Sequence, residues 1–124
     1  MKKKIMIVDD EPDHLFTIKQ ILEFGNEYEV ITAKDATECF ELLEKNLIPD
    51  LILLDIMMPK TSGWDVFTKL KEESMWKNIR VVFLSAMSDD YSKGFGSMTA
   101  DGYIEKPYEP DELRKKVAQI LSKK

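Results

Sequence analysis

The 124-residue chain is poor in cysteine (1), histidine (1), glycine (5) and proline (5). One cysteine excludes an intramolecular disulfide framework and points to a reducing compartment. So few glycines and prolines, in a chain that is 44% hydrophobic and 33% charged, exclude a disordered or low-complexity segment. An excess of basic charge is missing too. With 18 Lys and Arg against 23 Asp and Glu, the formal net charge is -5, which speaks against direct nucleic-acid binding or attraction to an anionic membrane. Apolar runs are only a few residues long, too short for a membrane span or a signal peptide. Lys2–Lys4 resemble a signal n-region, but only Ile5–Val8 follows before two aspartates. Neither an internal repeat nor a Ser/Gly/Pro-rich linker is visible. The expectation is one soluble, cytoplasmic domain over residues 1–124 with no output domain, large enough to bury roughly two-thirds of its unfolded surface without staples.

Two periodicities alternate along the chain. Short apolar runs lie at Lys4–Val8, Glu29–Thr32, Leu51–Leu54, Val81–Leu84 and Tyr103–Ile104. The first, third and fourth are continuously apolar, as in strands covered on both faces. Between them fall helical spacings: Leu15, Ile18 and Leu22 between Pro12 and Gly25; Ala36, Cys39, Phe40 and Leu43; Val66, Phe67 and Leu70 after Gly63; and Leu113, Val117, Ile120 and Leu121 after Pro110. Such alternation predicts an α/β fold, a parallel sheet with helices on both faces. Ser88–Ala100 is the weak segment, because Gly94, Gly96 and its serines lower its helix propensity. A helix there is expected to be short, frayed or mobile.

Ligands of open α/β sheets collect outside the carboxyl ends of the strands. There the sequence places Asp9, Asp10 and Glu11 after the first run, Asp55 after the third, Ser85 after the fourth and Lys106–Pro107 after the fifth. Taken singly, each reads as a cap, a turn residue or a solvated lysine, and Asp10 or Glu11 before Pro12 is expected to cap a helix. Taken together, Asp9, Asp10 and Asp55 with Ser85 and Lys106 place three carboxylates, a hydroxyl and an ammonium on one sheet edge. Carboxylates crowded against a hydrophobic sheet call for a counter-ion, and Mg²⁺ suits such oxygen ligands.

In order and spacing, Ile5-Met-Ile-Val-Asp-Asp-Glu-Pro12, Asp50-Leu-Ile-Leu-Leu-Asp-Ile-Met-Met-Pro59, Gly63-Trp-Asp-Val66, Phe83-Leu-Ser-Ala86 and Gly102-Tyr-Ile-Glu-Lys-Pro107 resemble the receiver domain of two-component response regulators over nearly the whole chain. The resemblance implies a flavodoxin-like (βα)5 fold, doubly wound, with strand order 2-1-3-4-5, for which a chemotaxis member of the family is a standard example. It implies Asp55 as the phosphoryl acceptor, and Asp10, Asp9 and the Met57 backbone carbonyl as further ligands of Mg²⁺, or of Mn²⁺ in its place. Ser85 would contact the phosphoryl group and Lys106 would pair with it. A cis peptide bond before Pro107 is implied as well. Ser85 and Tyr103 would form the switch that changes the face made by the fourth helix, the fifth strand and the last helix. The partners implied are a sensor histidine kinase or phosphotransfer protein upstream and a protein bound to that face downstream.

Two features depart from the common pattern. Thr99 stands where many members have a glycine ending the fourth helix. Met57 and Met87 stand where polar side chains could orient an attacking water, so slow self-dephosphorylation is expected. The remaining notable residues read as bland: His14 as a surface residue, Cys39 as core, Trp64 as either packing or partner contact. An aspartate-based phosphohydrolase is the rival enzyme reading. It fits poorly, because such enzymes place the nucleophile after the first strand with an aspartate two residues later. A pseudo-receiver that binds partners constitutively is the third reading.

Overall fold

The computed structural model describes residues 2–58, 60–86 and 101–123, the side chains of Ser85 and Ala86 excepted. Strands β1 (Lys3–Val8), β2 (Tyr28–Ala33), β3 (Leu51–Asp55), β4 (Arg80–Ala86) and β5 (Gly102–Lys106) form one sheet in the order β2-β1-β3-β4-β5. Every pairing is parallel. Helices α1 (Pro12–Glu23), α2 (Ala36–Glu44), α3 (Gly63–Glu72) and α4, the C-terminal helix (Pro110–Ser122), are described. The helix expected over Ser88–Ala100, with Gly94, Gly96 and Thr99, lies outside the described residues.

The continuous apolar runs are explained by burial on two sides. Ile5 to Val8 and Leu51 to Leu54 are all 0% exposed, and successive side chains enter opposite cores, as the period of a strand requires. Met6, Val8, Ile52 and Leu54 pack with Cys39 of α2 and Val66 of α3. Ile5, Ile7, Leu51 and Leu53 pack with Ile18 of α1 and Val117 of α4. Each such side chain contributes about 1.5–3 kcal/mol when fully buried, so these two strands anchor the domain.

Capping and turn chemistry aim the helices. Pro12 and Pro110 open α1 and α4, where a missing N–H costs nothing. Asp35 Oδ1 accepts the Glu38 N–H at 2.8 Å to start α2. Gly25 closes the α1 turn with φ of 91°, a region that glycine enters without penalty. Asp50 and Asp101 lock the opposite, amino-terminal edge of the sheet: Asp50 Oδ2 accepts the Lys4 N–H at 2.7 Å and Asp101 Oδ2 accepts the Val81 N–H at 2.8 Å.

Two expectations are corrected here. All five strands run past their apolar runs because ladder pairing continues beyond the hydrophobic residues. Asp55 faces Leu84, Ser85 faces Glu105 and Ala86 faces Lys106. Asp55 and Lys106 are therefore the last residues of their strands rather than the first loop residues. Neither Asp10 nor Glu11 caps α1 through its side chain. Glu11 takes the N-cap position with its backbone alone, and its N–H is spent on Asp9.

Candidate functional site

The site is built by the ends of three strands. β1 delivers Asp9 and Asp10, and β3 delivers Asp55, between two hydrophobic cores. One carboxylate oxygen from each of the three lies within 4.8 Å of the others. Asp9 and Asp55 are buried, while Asp10 is more open. From β5, the Lys106 Nζ reaches to 3.6 Å from Asp55 Oδ1. The Lys106–Pro107 peptide bond is cis.

Local hydrogen bonds fix the acidic side chains. Asp9 Oδ1 accepts the Glu11 N–H at 2.9 Å, and Asp55 Oδ1 accepts the Met57 N–H at 3.2 Å. The turn-residue role of these aspartates thus coexists with their convergence. Gly63, the first residue of α3, packs directly behind the acceptor. Its N–H donates to the Ile56 carbonyl at 2.9 Å, and a Cβ there would lie 2.5 Å from the Asp55 carbonyl oxygen. Only glycine lets α3 start this close to the end of β3.

Burial is the main cause that pushes the Asp55 carboxyl up to about 6. Lys106 and the Met57 N–H oppose the rise, and the charges of Asp9 and Asp10 add to it. A carboxylate crowded by two others and short of solvent is a site where charged oxygens await a cation. Three hard oxygen donors of this kind suit Mg²⁺, so the residues present fit the ion that the sequence implied.

Among the other expected residues, Met57 sits at the rim, 68% exposed. Tyr103 is half-buried on β5, opposite Phe83 in the ladder, and packs on the α2–α3 core. Ser85 is the penultimate residue of β4, its backbone paired with Glu105, and Met87 lies outside the described residues. Trp64 packs on Phe83 with ring centroids 4.5 Å apart, which favours its packing role. Cys39 is fully buried, and burial pushes its thiol up to about 12.

Two site residues were missed. The His14 Nδ1 lies 3.2 Å from Asp9 Oδ2, and its Nε2 lies 3.6 Å from Glu11 Oε2. The ring is indeed at the surface, but it faces the acidic cluster. Spacing on a helix could not show this, because its partner precedes the helix. Tyr108 follows the cis proline and is half-buried. Burial raises its hydroxyl pKa, with Asp9 and Asp55 contributing. A cleft of about 450 Å³ lined by His14, Thr17, Ile21, Lys106 and Tyr108 opens alongside.

Residues 5–118 match the model of the response regulator receiver domain, and the chain belongs to that family. It is 35% identical over 121 residues to the response regulator Rre1 of Synechocystis, covering 96% of this chain and 52% of that protein. It is 36% identical over 122 residues to the alkaline phosphatase synthesis transcriptional regulatory protein PhoP of Bacillus subtilis, covering 98% and 49%. The chain thus spans about half the length of these curated relatives. Among solved structures, chemotaxis protein CheY4 of Vibrio cholerae superposes with a TM-score of 0.87 at 26% identity, covering 97% of this chain and 99% of that one. The signal receiver domain of a signal transduction histidine kinase from Syntrophus aciditrophicus superposes at 0.85 and 30% identity, covering 97% and 90%. The flavodoxin-like receiver fold expected from the sequence is therefore the fold of the protein, and its role belongs to two-component signalling. Among the described residues, no helix is long and apolar enough to cross a membrane.

Proposed function

We propose that the chain is a phosphorylation-activated switch whose Asp55 accepts a phosphoryl group from a histidine kinase or phosphotransfer protein. The observation that carries this reading is the convergence of Asp9, Asp10 and Asp55 within 4.8 Å, with the Lys106 ammonium 3.6 Å from Asp55. An Asp55 carboxylate oxygen attacks phosphorus in line. The phosphorus–nitrogen bond of the donor breaks, its electron pair stays with the imidazole nitrogen, and the product is an acyl phosphate. Lys106 neutralises charge on the transferring group and then pairs with it. Asp9, Asp10, Asp55 and the Met57 carbonyl would hold Mg²⁺, which supplies further charge neutralisation at the equatorial oxygens. Ser85 donates a hydrogen bond to the phosphoryl group, and Tyr103 relays its presence to the face formed by the helix expected over Ser88–Ala100, β5 and α4.

That face is where a downstream protein reads the state, in the cytoplasm, without direct contact to nucleic acid or membrane. The chain's only chemistry is its own phosphorylation and dephosphorylation. The thioether of Met57 offers a water no base or strong acceptor, so the phosphorylated state decays slowly. Incubation with Mg²⁺ and a small acyl-phosphate donor, followed by intact mass, tests the reading. One labile phosphoryl group per chain, lost in Asp55→Asn, is the expected result. Multiple turnover of phosphorylated substrates would favour a phosphohydrolase, and no adduct would favour a pseudo-receiver.

A further inference from the structure

We infer that His14, the only histidine of the chain, is a positioning residue for the divalent-cation site, acting through Asp9. The inference rests on the proposed reading of Asp9, Asp10 and Asp55 as that site. Asp9 is fully buried, and its two oxygens are held by two different donors. Oδ1 accepts the Glu11 N–H at 2.9 Å, and Oδ2 faces His14 Nδ1 at 3.2 Å. A carboxylate has about four lone-pair sites, so each oxygen keeps one for the cluster.

The imidazole is fixed in turn. His14 lies in the first turn of α1, where its N–H and that of Leu15 both close on the Glu11 carbonyl, at 3.1 and 3.2 Å. Its Nε2 lies 3.6 Å from Glu11 Oε2. The ring therefore ties the Asp9–Glu11 loop to a rigid helix. With the Glu11 N–H alone, the carboxylate could swing about its last torsion. With a donor on each oxygen it cannot, so a ligand group is already ordered before the cation arrives. Hydrogen-bonded partners of ligating carboxylates orient them in this way, and losing one weakens metal binding. The ring is 42% exposed, which places the effect at the modest end.

The test is the Mg²⁺ dissociation constant of the unphosphorylated protein, read by tryptophan fluorescence or calorimetry, for wild type, His14→Leu, His14→Gln and His14→Asn. An asparagine amide nitrogen occupies the place of imidazole Nδ1, whereas that of glutamine mimics Nε2 and turns toward Glu11. His14→Leu and His14→Gln are expected to bind Mg²⁺ ~3- to 10-fold more weakly, at or below the lower bound of about tenfold for such partners because the ring is partly exposed. His14→Asn should stay within about twofold of wild type, since it keeps the donor to Asp9. Unfolding of the metal-free variants checks that each one folds. If His14→Leu is lost to misfolding, the Asn and Gln pair still decides. Unchanged or tighter binding by His14→Leu overturns the inference, as does a loss in His14→Asn equal to that in His14→Leu. Wild-type protein that binds no Mg²⁺ would instead overturn the reading of the site itself.

Discussion

Asp55→Asn is expected to stabilise the metal-free protein at neutral pH. The Asp55 carboxylate is only 5% exposed. Burial, opposed by Lys106 and reinforced by Asp9 and Asp10, pushes its pKa from 3.8 up to about 6. The unfolded chain titrates near the ordinary value, so between the two values the folded state holds more protons than the unfolded one. Stability therefore falls as pH rises from about 4 to about 6, and the gap is worth about 3 kcal/mol once both states are ionised. Asparagine keeps the shape and the acceptor for the Met57 N–H but leaves Lys106 without its carboxylate. A net gain of about 1–2 kcal/mol, or ~4–8 °C for a chain of this size, is expected at about pH 7.5. At about pH 4.5 wild-type Asp55 is mostly protonated when folded, and the gain should shrink to less than half. Thermal unfolding of both proteins in chelator at the two pH values measures this. The reasoning is refuted if the variant is no more stable than wild type at neutral pH, or if its advantage is the same at both.

Other perturbations probe the surroundings of the acceptor. Gly63→Ala places a methyl group 2.5 Å from the Asp55 carbonyl oxygen and 2.9 Å from Ile56 Cα. It should cost about 1–3 kcal/mol by urea unfolding, and a loss below the lower bound would mean that α3 can retreat freely. Met57→Asn supplies a polar group able to orient water and should shorten the phosphorylated lifetime by about tenfold, below the full range for general acid–base groups; an unchanged decay rate would remove Met57 from that role. Cys39, buried with its thiol pushed up to about 12, should resist thiol reagents in the native state and react only as the protein unfolds. Fast labelling of the folded protein would contradict its burial.

The strands and both cores were legible because burial on two faces leaves continuous apolar runs, with Ile5 to Val8 and Leu51 to Leu54 as the clearest cases. Strand ends were less so, because pairing at Ser85–Glu105 and Ala86–Lys106 is carried by backbone bonds that leave no apolar signature. Asp9, Asp10, Asp55 and Lys106 were readable as a group, since parallel topology gathers strand ends at one edge. Asp50 and Asp101 are aspartates too, yet they sit at the opposite edge and serve backbone N–H groups. The side of the sheet, not the residue type, separates the two sets. His14 and Tyr108 escaped notice for a related reason. His14 meets the cluster across a turn and the Tyr108 hydroxyl feels its charge, and neither helical nor strand spacing encodes such relations.

Most direct is the location of the phosphoryl group after exposure to an acyl-phosphate donor. Borohydride reduction converts an aspartyl phosphate to homoserine, and peptide sequencing then reads the position. Homoserine at position 55, formed with Mg²⁺ and absent when the ion is chelated, is the result expected from an acceptor served by Asp9, Asp10 and Lys106. Homoserine at another aspartate, or equal labelling with and without the divalent ion, would contradict it.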